Sequence, residues 1–226
     1  MRIDIYSDIV CPWCYIGERR LHRALAAMPA GGRIETVFRP YQLDPYAPDA
    51  PVPLKTYLER RFGKRAEGML DAVTRSAATE GITIHWDRAL SSNTRTAHRL
   101  LQWALREGGP DTQRKLAEAL FALHFTHGGY LGDISQLADA AASVGLDAAR
   151  ARSYLRSDEG ISELEAAFAH ARNLGIMSVP TFVIDDRYAI QGAQPVTTFV
   201  HVLEQARSTS SDDARGNACA DGVCAT

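Results

Sequence analysis

Apolar and polar residues alternate at the start of the chain, a pattern typical of a β-strand. This first segment covers residues 1–8, and a second alternating segment covers residues 34–41. Between them, apolar residues recur with mainly helical spacing from Pro12 to Met28. Proline is common at the first helical position, where its missing N–H would have no partner anyway. The pattern therefore predicts a strand–helix–strand unit, which favours a right-handed parallel crossover.

Helical spacing dominates the middle of the chain. A proline-rich stretch over residues 44–53 interrupts all periodicity, and beyond it, to about Leu174, nearly every segment has apolar residues at helical intervals. This spacing predicts five or six helices. The candidate N-cap residues of these helices include Asn93 or Thr94, Asp133 before residues 134–144, and Asp158.

Strand character returns near the carboxyl end. Residues 180–185 and 188–191 flank a turn at Asp186-Arg187, which predicts a hairpin. A last helix is predicted over residues 195–206. Residues 207–226 are rich in Ser, Asp, Gly and Ala, with almost no large apolar side chains, so this tail is predicted to be flexible.

Composition narrows the possible partners. The 226 residues are 46% hydrophobic and carry a formal net charge of −2. No basic field is available to attract phosphates or an anionic membrane, so neither nucleic acid nor a membrane is a predicted partner. The charged, strand-like N-terminus lacks the apolar stretch of an export signal, and a cytoplasmic location is expected. That compartment keeps thiols reduced.

The four cysteines form two close pairs, Cys11/Cys14 and Cys219/Cys224. A thiol attacks disulfides as its thiolate, which the free N–H groups at the start of a helix stabilise. Cys11 occupies that position, whereas Cys14 lies one turn along and is placed to resolve a mixed disulfide. The alternatives are a pair of buried structural cysteines, or half of a zinc site completed by Cys219 and Cys224 or by histidines.

Two further histidines could ligate metal, His124 and His127, which are three residues apart on a predicted helix. No acidic residue or cysteine stands at fitting spacing near them, so the two are predicted to lie at a solvated helix end. No metal site and no cofactor are predicted.

The order of strand, Cys11-Pro12-Trp13-Cys14, helix, strand, helical insertion and Val179-Pro180-Thr181-Phe182 resembles the DsbA-like branch of the thioredoxin superfamily over residues 2–205. Residues 7–17, 93–98 and 179–184 are similar more narrowly to the FrnE-like thiol–disulfide oxidoreductases. A cysteine pair in a C-terminal extension also occurs in that family. The resemblance implies an α/β, thioredoxin-like fold with a large all-helical insertion and a flexible C-terminal tail.

The expected domain boundaries follow from the same comparison. Residues 1–46 and 176–206 would form a discontinuous thioredoxin-like domain, residues 47–175 the helical insertion, and residues 207–226 a tail with the second cysteine pair.

The resemblance also implies roles for individual residues. Cys11 and Cys14 would be catalytic, and a cis Val179-Pro180 peptide would face them, with the Val179 backbone pairing to a substrate chain. Asn93 and His98 match a substrate-facing surface, although Asn93 also fits a helix cap and His98 a packed polar residue. Trp13 is a candidate for an apolar substrate-binding surface. Cys219 and Cys224 would form a redox shuttle, with a metal-binding or non-functional tail as the alternative.

The predicted activity is thiol–disulfide oxidoreductase or disulfide isomerase chemistry on protein substrates. Its partners would be protein thiols and disulfides, with glutathione or a thioredoxin-type reductant as candidate electron donors. The central Pro-Trp dipeptide lacks the histidine of DsbA, so less oxidising power is expected. The alternatives are a glutathione-dependent isomerase or transferase of the 2-hydroxychromene-2-carboxylate type, and a non-enzymatic chaperone or zinc-binding protein.

Overall fold

The protein is represented by a computed structural model, which describes residues 1–29, 33–48 and 50–216. Within these ranges the chain forms six strands and eight helices. In chain order they are β1 (Arg2–Ser7), α1 (Pro12–Ala27), β2 (Glu35–Pro40), β3 (Val52–Pro53), α2 (Leu54–Phe62), α3 (Arg65–Ala78), β4 (Leu90–Ser91), α4 (Arg95–Phe125), α5 (Ile134–Ser143), α6 (Ala148–Arg156), α7 (Ile161–Asn173), β5 (Thr181–Ile184), β6 (Tyr188–Gln191) and α8 (Val196–Gly216).

The main sheet has the strand order β2-β1-β5-β6. β1 and β2 are parallel, which confirms the predicted crossover through α1, while β5 and β6 form the predicted antiparallel hairpin. Ser7 pairs with Pro40, and Tyr6 pairs with Thr181. One end of the sheet therefore contains the carboxyl ends of β1 and β2 together with the start of β5.

Helices α1 and α8 pack on each other and run in the same direction. The Arg20 guanidinium, in the middle of α1, donates to the carbonyl of Ala193, which shortly precedes α8, at 2.6 Å. Arg207, in the middle of α8, donates to the carbonyl of Pro29, which follows α1, at 3.1 Å. Arg20 also donates to Glu80 at 2.8 Å, which fastens α1 to the end of α3.

The insertion covers the outer edge of β2 through helix α4. Gly109 (φ 76°), followed by Pro110, breaks α4 into two helical segments. After the break, the fully buried Gln113 amide accepts from the Phe38 N–H at 2.9 Å and donates to the Phe38 carbonyl at 3.0 Å. An edge strand with unpaired backbone groups is prone to association, and Gln113 satisfies both groups of one residue.

The predicted helix caps have mixed outcomes. Asp133 is confirmed, since its carboxylate accepts from the N–H groups of Ser135 and Gln136. Asp158 is wrong: α7 begins after Gly160, which has a left-handed backbone. A short helix that the sequence analysis missed, α6, is capped by Asp147.

Two sequence-based expectations are wrong: the exposure of His124 and the end of the last helix. His124 is fully buried instead of lying at a solvated helix end, because the last turn of α4 packs into the core. Helix α8 continues to Gly216, ten residues beyond its predicted end. A hydrogen bond between Tyr188 and Thr209, at 3.0 Å, ties this extension to β6.

None of the helices in the described ranges combines the length and apolar character needed to cross a membrane.

Candidate active site

The dithiol lies where the turn after β1 enters helix α1. The Cys11 N–H donates to the Asp8 carbonyl at 3.0 Å, and Cys11, with an extended backbone, is the N-cap residue of α1. Pro12 occupies the first turn, as predicted. The register of the sheet brings this turn beside the segment that leads into β5. Cys11 therefore lies at the amino end of α1, where the first N–H groups of a helix have no backbone partner.

Both thiols are free and buried. Cys11 Sγ lies 3.8 Å from the Val179 carbonyl oxygen. Burial raises the pKa of Cys14 well above its usual range, and a hydrogen bond with Cys11 acts in the same direction, whereas Ser7 and the Asp8 backbone lower it. The Cys14 thiol is therefore protonated at neutral pH.

The loop before β5 faces the dithiol as the resemblance implies. The Val179-Pro180 peptide is cis, which confirms that expectation. Pro180 packs over Gly17 of α1: a Cβ built on Gly17 would lie 3.0 Å from Pro180 Cγ and 3.1 Å from the end of the Phe182 ring. The absence of a side chain at residue 17 thus allows Pro180 and α1 to approach closely.

We expect Gly17→Ala to fail to stabilise the protein. Alanine normally stabilises a helix interior over glycine by about 1 kcal/mol, but here the new methyl group would press on Pro180 and Phe182. Gly68→Ala in α3 is the matched control, because open space surrounds that position. Chemical denaturation should show a gain of about 1 kcal/mol for Gly68→Ala only. An equal gain at Gly17 would contradict the close packing.

Trp13 is placed between the two cysteines and is 38% exposed, which is large for an aromatic side chain. Val179 is half-buried. Both residues adjoin Cys11, so the structure brings these two predicted substrate-binding residues together with the dithiol.

His98 contacts Asp8, in the turn before the dithiol, a residue for which the sequence analysis predicted no role. Its Nε2 atom lies 3.2 Å from Asp8 Oδ1, and both side chains are buried. The second oxygen, Asp8 Oδ2, accepts from the Leu43 N–H at 2.8 Å. Asp8 therefore links the dithiol turn to helix α4 and to the loop after β2, and His98 packs inside instead of opening to the surface.

Asn93 directs its amide at the loop after β2. It donates to the Ala47 carbonyl at 3.2 Å and accepts from Gln42 at 3.0 Å. It also accepts from the Arg95 N–H at 3.0 Å, which caps α4 in place of a bond from Thr94. Its hydrogen bonds therefore shape the neighbourhood of the dithiol indirectly.

The second cysteine pair, Cys219 and Cys224, lies outside the described residues. Among those that are described, no group of three or more His, Cys, Asp or Glu side chains is arranged to hold a metal ion.

A dithiol at the start of a helix, opposite a cis-proline at one edge of a mixed sheet, defines a thioredoxin-like fold. The model of the DsbA-like thioredoxin domain matches residues 2–204. The solved structure of a probable DsbA oxidoreductase from Streptomyces coelicolor is 32% identical with a TM-score of 0.84, covering 100% of this chain and 99% of that one. The chain therefore belongs to the DsbA-like thioredoxin family.

Two more distant structures share the fold. The cytosolic disulfide reductase DsbM from Pseudomonas aeruginosa is 16% identical with a TM-score of 0.62, covering 95% of this chain and 99% of that one. A 2-hydroxychromene-2-carboxylate isomerase is 15% identical with a TM-score of 0.67, covering 94% and 98%. A comparison with curated proteins gave no match.

Proposed function

We propose that the protein is a thiol–disulfide oxidoreductase that acts on protein disulfides, with Cys11 as the attacking thiol and Cys14 as the resolving thiol. The observation that carries this proposal is the asymmetry of the pair. Cys11 is the N-cap of α1 and faces the Val179 carbonyl, whereas burial keeps the thiol of Cys14 protonated through its raised pKa.

In the proposed reaction, the Cys11 thiolate attacks one sulfur of a client disulfide. A Cys11–client disulfide forms, and the other client sulfur leaves as a thiolate that takes up a proton. Cys14 then loses its proton and attacks Cys11 Sγ, which releases the second client thiol and leaves a Cys11–Cys14 disulfide. The client gains two electrons, so an external thiol reductant must regenerate the dithiol.

The test is a trapping experiment. Cys14→Ala should accumulate a disulfide between Cys11 and a client, because no second thiol resolves it, while Cys11→Ala should trap little. Non-reducing electrophoresis followed by mass spectrometry of the linked peptides identifies the cysteine used. Stronger trapping through Cys14 in the Cys11→Ala variant would reverse the two roles.

The proposal also names a candidate electron donor and a cellular location for the protein. DsbM is a cytosolic disulfide reductase that has also been crystallised with glutathione. This likeness supports glutathione as a candidate donor and a cytoplasmic location, with a thioredoxin-type protein as the alternative donor. Regeneration assays with each reductant and cell fractionation test both statements. Isomerisation is a further proposed activity, measurable as recovery of scrambled ribonuclease.

A further inference from the structure

A cavity of about 160 Å³ lies beside the turn that leads into the dithiol. We name it the β2-side pocket, because one wall is the loop that follows β2. The turn before Cys11 contributes Asp8 and Val10 to it, and the other walls come from α2 and from the start of α4. Its apolar lining residues are Val10, Leu43, Ala47, Leu54, Leu58 and Phe62.

The position of the pocket relates it to the reacting sulfur. β1 lies between β5 and β2 in the sheet, so the turn after β1 separates Val179 on one side from Leu43 on the other. A client cysteine joined to Cys11 would sit between these two surfaces. A residue close to that cysteine in the client chain is therefore within reach of the pocket.

The surface chemistry favours an uncharged occupant. Leu43 is 44% exposed and Phe62 is 38% exposed, so two large apolar side chains line the opening. The charged groups of the wall already have partners: Asp44 accepts from Tyr57 and, at 3.0 Å, from Arg61. An acidic ligand would have to compete with Asp44 for Arg61.

Asp8 adds no free charge for a ligand either. Its two carboxylate oxygens contact His98 and the Leu43 N–H. An apolar group, in contrast, would gain by covering Leu43 and Phe62. Cavities of about 150 Å³ lined by aliphatic and aromatic side chains accept a molecule the size of benzene. The β2-side pocket thus has room for one leucine or phenylalanine side chain.

We propose that the β2-side pocket is a specificity site that takes an apolar side chain of the client protein, from a residue next to the reacting cysteine. This inference rests on the proposed function of Cys11. It names the chemistry by which the protein would select among client disulfides: a cysteine flanked by leucine or phenylalanine over one flanked by glycine or an acidic residue.

The test uses short peptides with one cysteine linked to 2-mercaptoethanol as a disulfide. Glycine, leucine, phenylalanine or aspartate stands beside the cysteine, in separate series on its N- and C-terminal sides. Single-turnover rates with the reduced full-length protein should be about tenfold higher for leucine or phenylalanine than for glycine on one side. Aspartate should give no increase.

Ala47→Leu is the diagnostic variant, because the added carbons project from a pocket wall. It should abolish the preference, so that the leucine and phenylalanine peptides react no faster than the glycine peptide. Ala27→Leu, at an exposed position near the end of α1, is the matched control and should retain the preference. Leu58→Ala enlarges the pocket and should shift the preference from leucine towards phenylalanine, which gives an independent readout if Ala47→Leu folds poorly.

Reduction of bis(2-hydroxyethyl) disulfide separates the two proposals, since that substrate has no side chain to bind. If it and all peptides fail to react, the proposed function is wrong and the inference falls with it. If it reacts but leucine gives no advantage, or Ala47→Leu slows glycine and leucine peptides equally, the pocket assignment is wrong. The pocket assignment would also be wrong if Ala47→Leu selectively slowed the reduction of glutathione disulfide, because the pocket would then bind the anionic glutathione.

Discussion

Replacing Cys11 by serine is expected to remove the catalysed part of insulin reduction entirely, so that the rate falls to the background set by dithiothreitol alone. A serine hydroxyl cannot form the mixed disulfide through which exchange proceeds. The substitution changes one buried atom at the N-cap of α1, so the fold should remain. Turbidity of precipitating insulin chains measures the rate, and circular dichroism checks the fold.

Cys14→Ser is the matched control at the second position. It should still attack a disulfide once, but the disulfide between Cys11 and the insulin chain should persist until an external thiol releases it, whereas Cys14 of the wild type releases it directly. The pair of variants also separates protein classes. A glutathione-dependent isomerase would not need a disulfide-forming thiol at residue 11, so retention of an isomerase activity in Cys11→Ser would favour that class.

Glu18→Gln is expected to raise the free energy of unfolding at pH 8 by about 3 kcal/mol. Glu18 lies one turn after Cys14 and is 3% exposed. Burial, followed by the nearby Glu118, raises its pKa from 4.5 to about 7, against the opposing charge of Arg114. The folded state thus binds a proton more tightly than the unfolded state. The stability associated with this proton is present below pH 4.5 and is lost as the pH rises to 7.

Glutamine keeps the shape of the protonated acid and does not ionise, so the gain should be absent near pH 4, grow between pH 4.5 and 7, and be complete above pH 7. Urea denaturation at several pH values measures the difference from the wild type. A loss of stability in Glu18→Gln at pH 8 would show that the contact with Arg114, 3.8 Å away, outweighs the cost of burial.

His124 should change the free energy of unfolding with pH in the opposite direction to Glu18. Burial lowers its pKa from 6.5 to about 4, so the unfolded state takes up a proton first as the pH falls. Stability from this group is therefore lost between pH 6.5 and 4, by up to about 3 kcal/mol. His124→Phe should remove that loss. Relative to the wild type, Glu18→Gln should gain stability with rising pH and His124→Phe with falling pH.

Local sequence signals were sufficient for the framework of the site. The alternation in β1, the proline after Cys11 and the helical spacing of α1 each act within a few residues, and they predict the strand, the helix start and the dithiol between them. Asp133 could be predicted as a cap for the same reason, because its carboxylate needs only the next turn of backbone.

Features that depend on distant parts of the chain could not be predicted this way. The partner of Asp8 is His98, ninety residues further along, and nothing near Asp8 in the sequence indicates that contact. The burial of His124 depends on the packing of α4. The part of α8 beyond its predicted end contains few apolar residues, and Arg207 and Thr209 at its start contact Pro29 and Tyr188, which are distant in the sequence.

The direction of α8 determines how the second cysteine pair could exchange with the first. Because α8 runs alongside α1, Arg207 lies beside Pro29, about 25 Å along the helix from Cys11, and Gly216 is about 13 Å further. Two residues separate Gly216 from Cys219, and an extended chain of that length reaches only about 10 Å. While α8 persists, Cys219 of one molecule cannot meet Cys11 of the same molecule. Shuttling between the pairs would then be a bimolecular process, with a rate proportional to the concentration of the protein.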